Sequence, residues 1–227
     1  MIPSIIHYCW FGKAEKRPLL KSCIDSWGRS MPDFQISEWN DSNCPVNNFY
    51  TEQARAQGLW SKLSDYVRLH VLYTQGGIYL DTDVEVIRSM APLLSLKCFV
   101  GFQEQRECAD WVNNAVLGAE SGHVFLKRCM DLTIRLHENK EKSYYASPTI
   151  TTMVLKEMGL KVYGSQEVDG VQIFPLDYFY PYPWYGKLSR DCITENTYSI
   201  HHWDASWKNK NIFWEVKKAL FRLRVLK

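Results

Sequence analysis

The sequence contains no Cys-x-x-Cys pair, no apolar run of membrane-spanning length and no surplus of one charge. Its seven cysteines (Cys9, Cys23, Cys44, Cys98, Cys108, Cys129 and Cys192) are odd in number and scattered over 227 residues. That spacing implies neither a zinc site nor a disulfide framework, and a reducing compartment is the simpler reading. The formal charge of +2 is too small to make nucleic acid the expected partner. The start, Met1 to His7, lacks the basic region and long apolar stretch of a signal peptide. No stretch reaches the length of a transmembrane helix. The expectation is a cytoplasmic protein, with any membrane attachment peripheral and on the inner face.

What is present is a globular composition, 46% hydrophobic and 23% charged. The length suits one sizeable α/β core, and no repeat or linker divides it. Nine Trp and thirteen Tyr are the unusual part, since aromatic rings suit stacking on bases and sugars as well as core packing.

Ile5 to Phe11 reads as a buried strand closed by Gly12, and Phe34 to Trp39 as a second strand. Helical spacing runs over Pro18 to Trp27, Asn47 to Gln57 and Ser61 to Gln75, the last two ended by Gly58 and Gly76. Strands are expected at Ile78–Leu80, Val84–Ile87, Phe99–Phe102, Val112–Leu117, Leu160–Tyr163 and Val171–Phe174. Helices are expected at Val124–His137 and Thr149–Met158, and the aromatic, proline-bearing stretch Tyr178 to Tyr185 reads as an irregular loop. This alternation predicts a single α/β domain, a mostly parallel central sheet flanked by helices.

The densest signal is Ser64-Asp65-Tyr66-Val67-Arg68 followed by Gly76-Gly77-Ile78-Tyr79-Leu80-Asp81-Thr82-Asp83. Asp81 and Asp83 alternate onto one side of an extended backbone, where carboxylate oxygens suit Mg²⁺ or Mn²⁺. An Asp-x-Asp arises roughly once by chance in a chain this long, so the context has to carry the reading. Two acids crowded at the end of a buried strand are costly unless a cation neutralises them. Ligands gather at the carboxyl ends of such strands, which puts Trp10 on the same rim. Asp65 and Arg68, one helical turn apart, can face that rim together, although the same spacing also makes an ordinary helix-surface ion pair. His7 and His70 read as structural.

With these pieces in hand, the chain resembles glycosyltransferase family 32, sugar transferases with a GT-A fold and a DXD motif. Clostridial toxin glycosyltransferase domains are distant relatives in that wider group. The matching pieces are Ile2 to Gly12, Ser64-Asp65-x-x-Arg68, Gly76 to Asp83, and His201-His202-Trp203-Asp204-Ala205-Ser206-Trp207. They span nearly the whole chain in order, and the expected catalytic domain is 1–207.

The resemblance implies a metal-dependent, retaining transfer of a hexose from a nucleotide-sugar to a saccharide. The donor is UDP-hexose in first place, with GDP-mannose also compatible, and the ion is Mn²⁺ or Mg²⁺. It implies that Trp10 stacks on the base, that Asp65 and Arg68 hold donor-sugar hydroxyls, and that Ser64 and Tyr79 border the nucleotide. Asp83 would bind the metal, Asp81 the metal or the ribose, and His202 would be a late metal ligand. Ser206 and Trp207 would reach the diphosphate, and Asn114 would face the donor sugar. Asp65, Arg68, Asp83 and Asn114 are the candidate catalytic group. One departure is Ser147-Pro148, where the family commonly has Gly-Pro.

Residues 208–227 read as a basic amphipathic helix, either docked on the domain or lying on an anionic membrane. The membrane option fits a lipid-linked acceptor in capsule- or O-antigen-type polysaccharide synthesis. Two other classes use some of these features. A metal-dependent phosphotransferase or nuclease would use the paired acids but leaves Asp65 and Arg68 without a task. A non-catalytic carbohydrate-binding domain would explain the aromatics but not the acids.

Overall fold

The structure is a computed structural model that describes residues 1–138 and 144–204. Ser206, Trp207 and the expected basic helix lie outside the described residues. The order of elements is β1 (Ile5–Cys9), α1 (Pro18–Ser30), β2 (Gln35–Trp39), α2 (Phe49–Ala56), α3 (Trp60–Gln75), β3 (Gly77–Leu80) and β4 (Val84–Val86). Then come β5 (Cys98–Phe102), β6 (Val112–Ala119), α4 (Val124–Glu138), α5 (Ser147–Met158), β7 (Gln166–Val168), β8 (Val171–Phe174) and β9 (Ser199–His201).

Seven strands form one sheet in the order β2-β1-β3-β6-β5-β8-β7. Strands β1, β2, β3, β5 and β8 run one way, and β6 and β7 run against them. The expected α/β class and mostly parallel sheet are therefore present. Alternation along each strand splits the apolar residues between two layers. Tyr79, Val100, Leu117 and Ile173 pack with Val67 and Leu72 of α3, Phe125 and Cys129 of α4, and Leu155 of α5. Ile6, Ile78, Leu80 and Phe99 pack on the other face with Trp27 of α1 and Val84 of β4.

Two expectations change. Leu160–Tyr163 is not a strand: Gly159 ends α5, Leu160 is buried, and Val162 is left exposed. The strand falls at Gln166–Val168 instead, because Asp169 and Gly170 both take positive φ (48° and 81°) and close a tight hairpin onto β8. The Val84 strand does form, but outside the main sheet. It pairs antiparallel with β9, matching Val84 to His201 and Val86 to Ser199. Trp27 anchors this ribbon by donating from Nε1 to Val84 O at 2.7 Å.

The Gly76-Gly77 junction aims β3. Gly76 ends α3 at φ 68°, its N–H bonded to Leu72 O at 2.8 Å. Gly77 follows at φ 110°, and a Cβ there would lie 2.7 Å from Ile5 O and 2.9 Å from His7 Nε2. His7, expected to be structural, is buried at this junction. Trp39 Nε1 donates to its Nδ1 at 3.1 Å, so Nε2 carries the proton and donates to Gly76 O at 2.9 Å. Burial lowers its pKa and keeps the ring neutral.

Gly77→Ala is expected to destabilise the fold by about 2–3 kcal/mol, from positive φ plus the backbone clash. Gly28→Ala, in open space on α1, is expected to be neutral or to stabilise by up to ~1 kcal/mol. Urea unfolding of both variants checks this pair, and equal losses would contradict it.

Candidate active site

Strand register fixes which residues share one edge. Ile6 pairs with Ile78 and His7 with Tyr79, so Trp10 and Asp81 each follow their strand at the same end of the sheet. The antiparallel β6 begins there, and Asp81 N donates to Ala115 O at 2.8 Å. Asn113 and Asn114 therefore stand beside the carboxylates. The helix of Asp65 and Arg68 covers this corner from one face.

Arg68 is its centre. The side chain is only 5% exposed, yet every direction of its guanidinium meets a partner. Nη2 lies 3.0 Å from Asp65 Oδ1 and 3.0 Å from Asp81 Oδ1. Nη1 donates to Asn114 O at 3.1 Å and Asn114 Oδ1 at 3.3 Å, and the group sits 4.6 Å above the Tyr79 ring. Burial opposes its charge, but the acids around it outweigh burial and raise its pKa. Expected to grip a sugar, Arg68 is instead committed to protein groups and holds Asp65, Asp81 and Asn114 in place.

Three further expectations shift with it. Tyr79 is buried beneath Arg68 and donates from its hydroxyl to Asp81 Oδ1 at 3.0 Å, so it supports an acid and has no free border to offer a nucleotide. Asn114 is 1% exposed and donates from Nδ2 to Ser147 Oγ at 2.5 Å, tying Arg68 to the start of α5. Ser64 turns its hydroxyl back to Trp60 O at 2.9 Å. Asp65 keeps 16% of its side chain in solvent. Its other oxygen meets Lys62 Nζ at 3.3 Å, and Lys62 also donates to Tyr145 O at 2.8 Å.

The imidazole at the acids is His201, not the expected His202. His201 Nε2 lies 3.2 Å from Asp83 Oδ1, whereas His202 Nε2 meets Glu85 Oε2 at 2.9 Å. The cause is the β4–β9 register. Pairing Val84 with His201 turns that ring toward the sheet edge, and alternation sends His202 the other way. The segment is fastened further by His202 N to Asp83 O at 2.9 Å and Asp204 N to Asp83 Oδ2 at 2.8 Å. To bring both N–H groups onto Asp83, Trp203 adopts φ 52°, strained for a bulky side chain. Its indole offsets that strain by donating to Tyr182 O at 2.9 Å and packing 4.1 Å from the His201 ring.

Asp81, Asp83 and His201 each offer one ligand atom, all within 4.8 Å of one another. Burial raises the Asp81 carboxyl above its ordinary value, with Arg68 pulling it down and the Asp83 charge adding to the rise. Burial works against Asp83 too, but His201 and the Asp204 N–H outweigh it and hold the group at about 2. His201 is pushed up, because Asp83 outweighs the cost of burying its charge. Two carboxylate oxygens and an imidazole nitrogen fit Mn²⁺ or a similar divalent ion, with positions left over for phosphate oxygens. Asp81 is 28% and Asp83 13% exposed, so the acids open on solvent.

Trp10, expected to stack on a base, is half-buried at the same edge. It donates from Nε1 to Ala14 O at 2.8 Å, and Lys16 Nζ lies 5.4 Å from its ring.

This edge gathers two carboxylates and an imidazole beside the third carboxylate of Asp65. Residues 18–100 match the family described as "Glycosyltransferase sugar-binding region containing DXD motif". Inositol phosphoceramide mannosyltransferase 3 of Schizosaccharomyces pombe is 33% identical over 135 residues, 55% of this chain and 35% of its own. Lactosylceramide 4-alpha-galactosyltransferase of Gorilla gorilla gorilla is 30% identical over 176 residues, 70% of this chain and 50% of its own. The chain thus spans half or less of the length of these relatives. Among solved structures, the PaToxG glycosyltransferase overlays with a TM-score of 0.58 at 22% identity, covering 69% of each chain. The fold is that of the GT-A glycosyltransferases, and over residues 18–100 the chain is similar to the DXD-containing sugar-binding region of glycosyltransferases.

Arg68→Met is expected to lower stability by about 2–4 kcal/mol, because it takes the shared cation from Asp65 and Asp81 and the donor from the buried Asn114 O and Oδ1. Denaturant unfolding measures it. A loss below about 1 kcal/mol, typical of a surface pair, would contradict the buried hub.

Proposed function

We propose that this protein transfers a hexose from a nucleotide-sugar, a UDP-hexose in first place, to a hydroxyl of a lipid-linked saccharide, retaining the anomeric configuration. The observation that carries the reading is the convergence of Asp81, Asp83 and His201 at one strand end beside Asp65. A divalent ion held by those three would supply positive charge against the donor's diphosphate.

Every other task falls to the chain's own side chains. The solvent-exposed part of Asp65 accepts hydrogen bonds from donor-sugar hydroxyls, and Lys62 and Arg68 fix its angle. Asn114 and Ser147 back it from β6 and α5. The indole of Trp10 offers a flat surface for the base. In the reaction the bond from the anomeric carbon to the phosphate oxygen breaks, and its electron pair stays on the diphosphate. The acceptor hydroxyl oxygen forms the new bond, and its proton passes to the departing diphosphate.

A hexose and a lipid-linked acceptor are supported by the names of the two relatives, a mannosyltransferase and a galactosyltransferase that both act on ceramide lipids. Capsule or O-antigen assembly is a setting that supplies acceptors of this kind. Among the described residues no helix is long and apolar enough to cross a membrane.

The experiment is a thermal-shift panel of nucleoside diphosphates with and without Mn²⁺. UDP with Mn²⁺ is expected to raise the melting temperature, by an amount that grows with ligand concentration. A flat response to every diphosphate would sink the reading. Asp83→Asn, which keeps an acceptor for the Asp204 N–H but loses the charge facing His201, is expected to melt lower without ligand and, read against its own ligand-free melting temperature, to lose the Mn²⁺-dependent part of the shift. Mass spectrometry of donor hydrolysis then identifies the sugar.

A further inference from the structure

Four acids at this corner each face a basic partner. Asp81 meets Arg68, Asp83 meets His201, Glu85 meets His202, and Asp204 meets Arg17. The first three partners are largely enclosed. Arg17 keeps 49% of its side chain in solvent while one nitrogen, Nη2, holds Asp204. A guanidinium has five N–H donors in a planar fork, so most of this one remains open to a ligand.

Its position is fixed from both sides. Arg17 is the residue before α1, in extended conformation, with Pro18 starting the helix. Its side chain makes no cap to that helix and reaches instead to Asp204. Asp204 in turn donates its backbone N–H to Asp83 Oδ2. Only one residue therefore separates the guanidinium from a carboxylate of the metal corner. The helix behind it lies in the same field: burial first, then the charges of Asp83, Glu85 and Asp204, push the Cys23 thiol up to about 12. A further cation, Lys16, stands on the same β1–α1 loop beside Trp10.

A diphosphate gains one negative charge as it leaves, and Asp81 and Asp83 would offset the charge of a divalent ion that they held. Further stabilisation must come from a cation that is open to solvent, close to the corner and able to fork onto two oxygens. Arg17 meets all three conditions.

We propose that Arg17 binds the distal phosphate of the nucleotide and stabilises the departing diphosphate, with Asp204 holding its guanidinium at the metal corner. This rests on the nucleotide-sugar reading above. It adds a diphosphate-binding group from the β1–α1 loop, far in sequence from the Asp-x-Asp.

Isothermal titration of the whole chain with Mn²⁺ and UDP, UMP, GDP or GMP tests it. Arg17→Ala is expected to weaken binding of the diphosphate that wild type prefers by roughly tenfold, with the matching monophosphate unchanged. Arg17→Lys is expected to recover part of the loss, as a point charge without the fork. Two results would overturn the inference. One is an equal loss for diphosphate and monophosphate, which is what a latch acting only through Asp204 would give. The other is unchanged diphosphate affinity in Arg17→Ala. If wild type binds none of the four nucleotides, the nucleotide-sugar reading fails first, and the inference falls with it.

Discussion

The buried guanidinium of Arg68 is the interaction on which the rest of the site depends. Removing such a group from water costs several kcal/mol, and only near-complete pairing makes it tolerable. Asp65, Asp81, Asn114 and the Tyr79 face provide that pairing. They come from α3, β3 and β6, so one cation locks three elements at the edge where ligands gather. The consequence for function is angular precision. Asp65 and Asp81 are fixed acceptors aimed by the fold, and little side-chain freedom is left to lose when a ligand arrives.

The second constraint is the clip from Ser199 to Asp204. Its register on β4 selects His201, its strained residue Trp203 returns the chain to Asp83, and Asp204 joins it to Arg17. Asp83 is held from the far end of the chain, whereas Asp81 is held from α3. The two acids of one short motif thus answer to different parts of the sequence. A ligand bridging them would couple the parallel core to the β4–β9 ribbon.

The local signals were readable because they are local. A helix ending at Gly76, a Gly-Gly turn and a buried strand ending in acids follow from spacing and backbone freedom alone, and the structure keeps each of them. The Asp169-Gly170 hairpin was equally local, but Leu160 to Tyr163 offered a more apolar decoy six residues earlier. Other features depend on contacts that spacing does not encode. Adjacent histidines cannot be ranked without knowing that Val84 faces His201. The burial of Arg68, Tyr79 and Asn114 depends on how closely α3 and α5 approach β6. The sequence thus points to residues that the structure brings together at one corner, and three of them, Arg68, Tyr79 and Asn114, are buried on protein partners there. Lys62, beside Asp65, and Arg17, beside Asp204, carry no motif of their own, and only the folded contacts bring them to the corner.

The central claim is that the metal corner consists of Asp81, Asp83 and His201. Electron spin echo spectroscopy of Mn²⁺ bound together with UDP tests it most directly. The account predicts coupling to one imidazole nitrogen and to phosphorus, with the nitrogen signal lost in His201→Gln and kept in His202→Gln. A wild-type spectrum without imidazole nitrogen, or one whose nitrogen signal disappears only in His202→Gln, would contradict it.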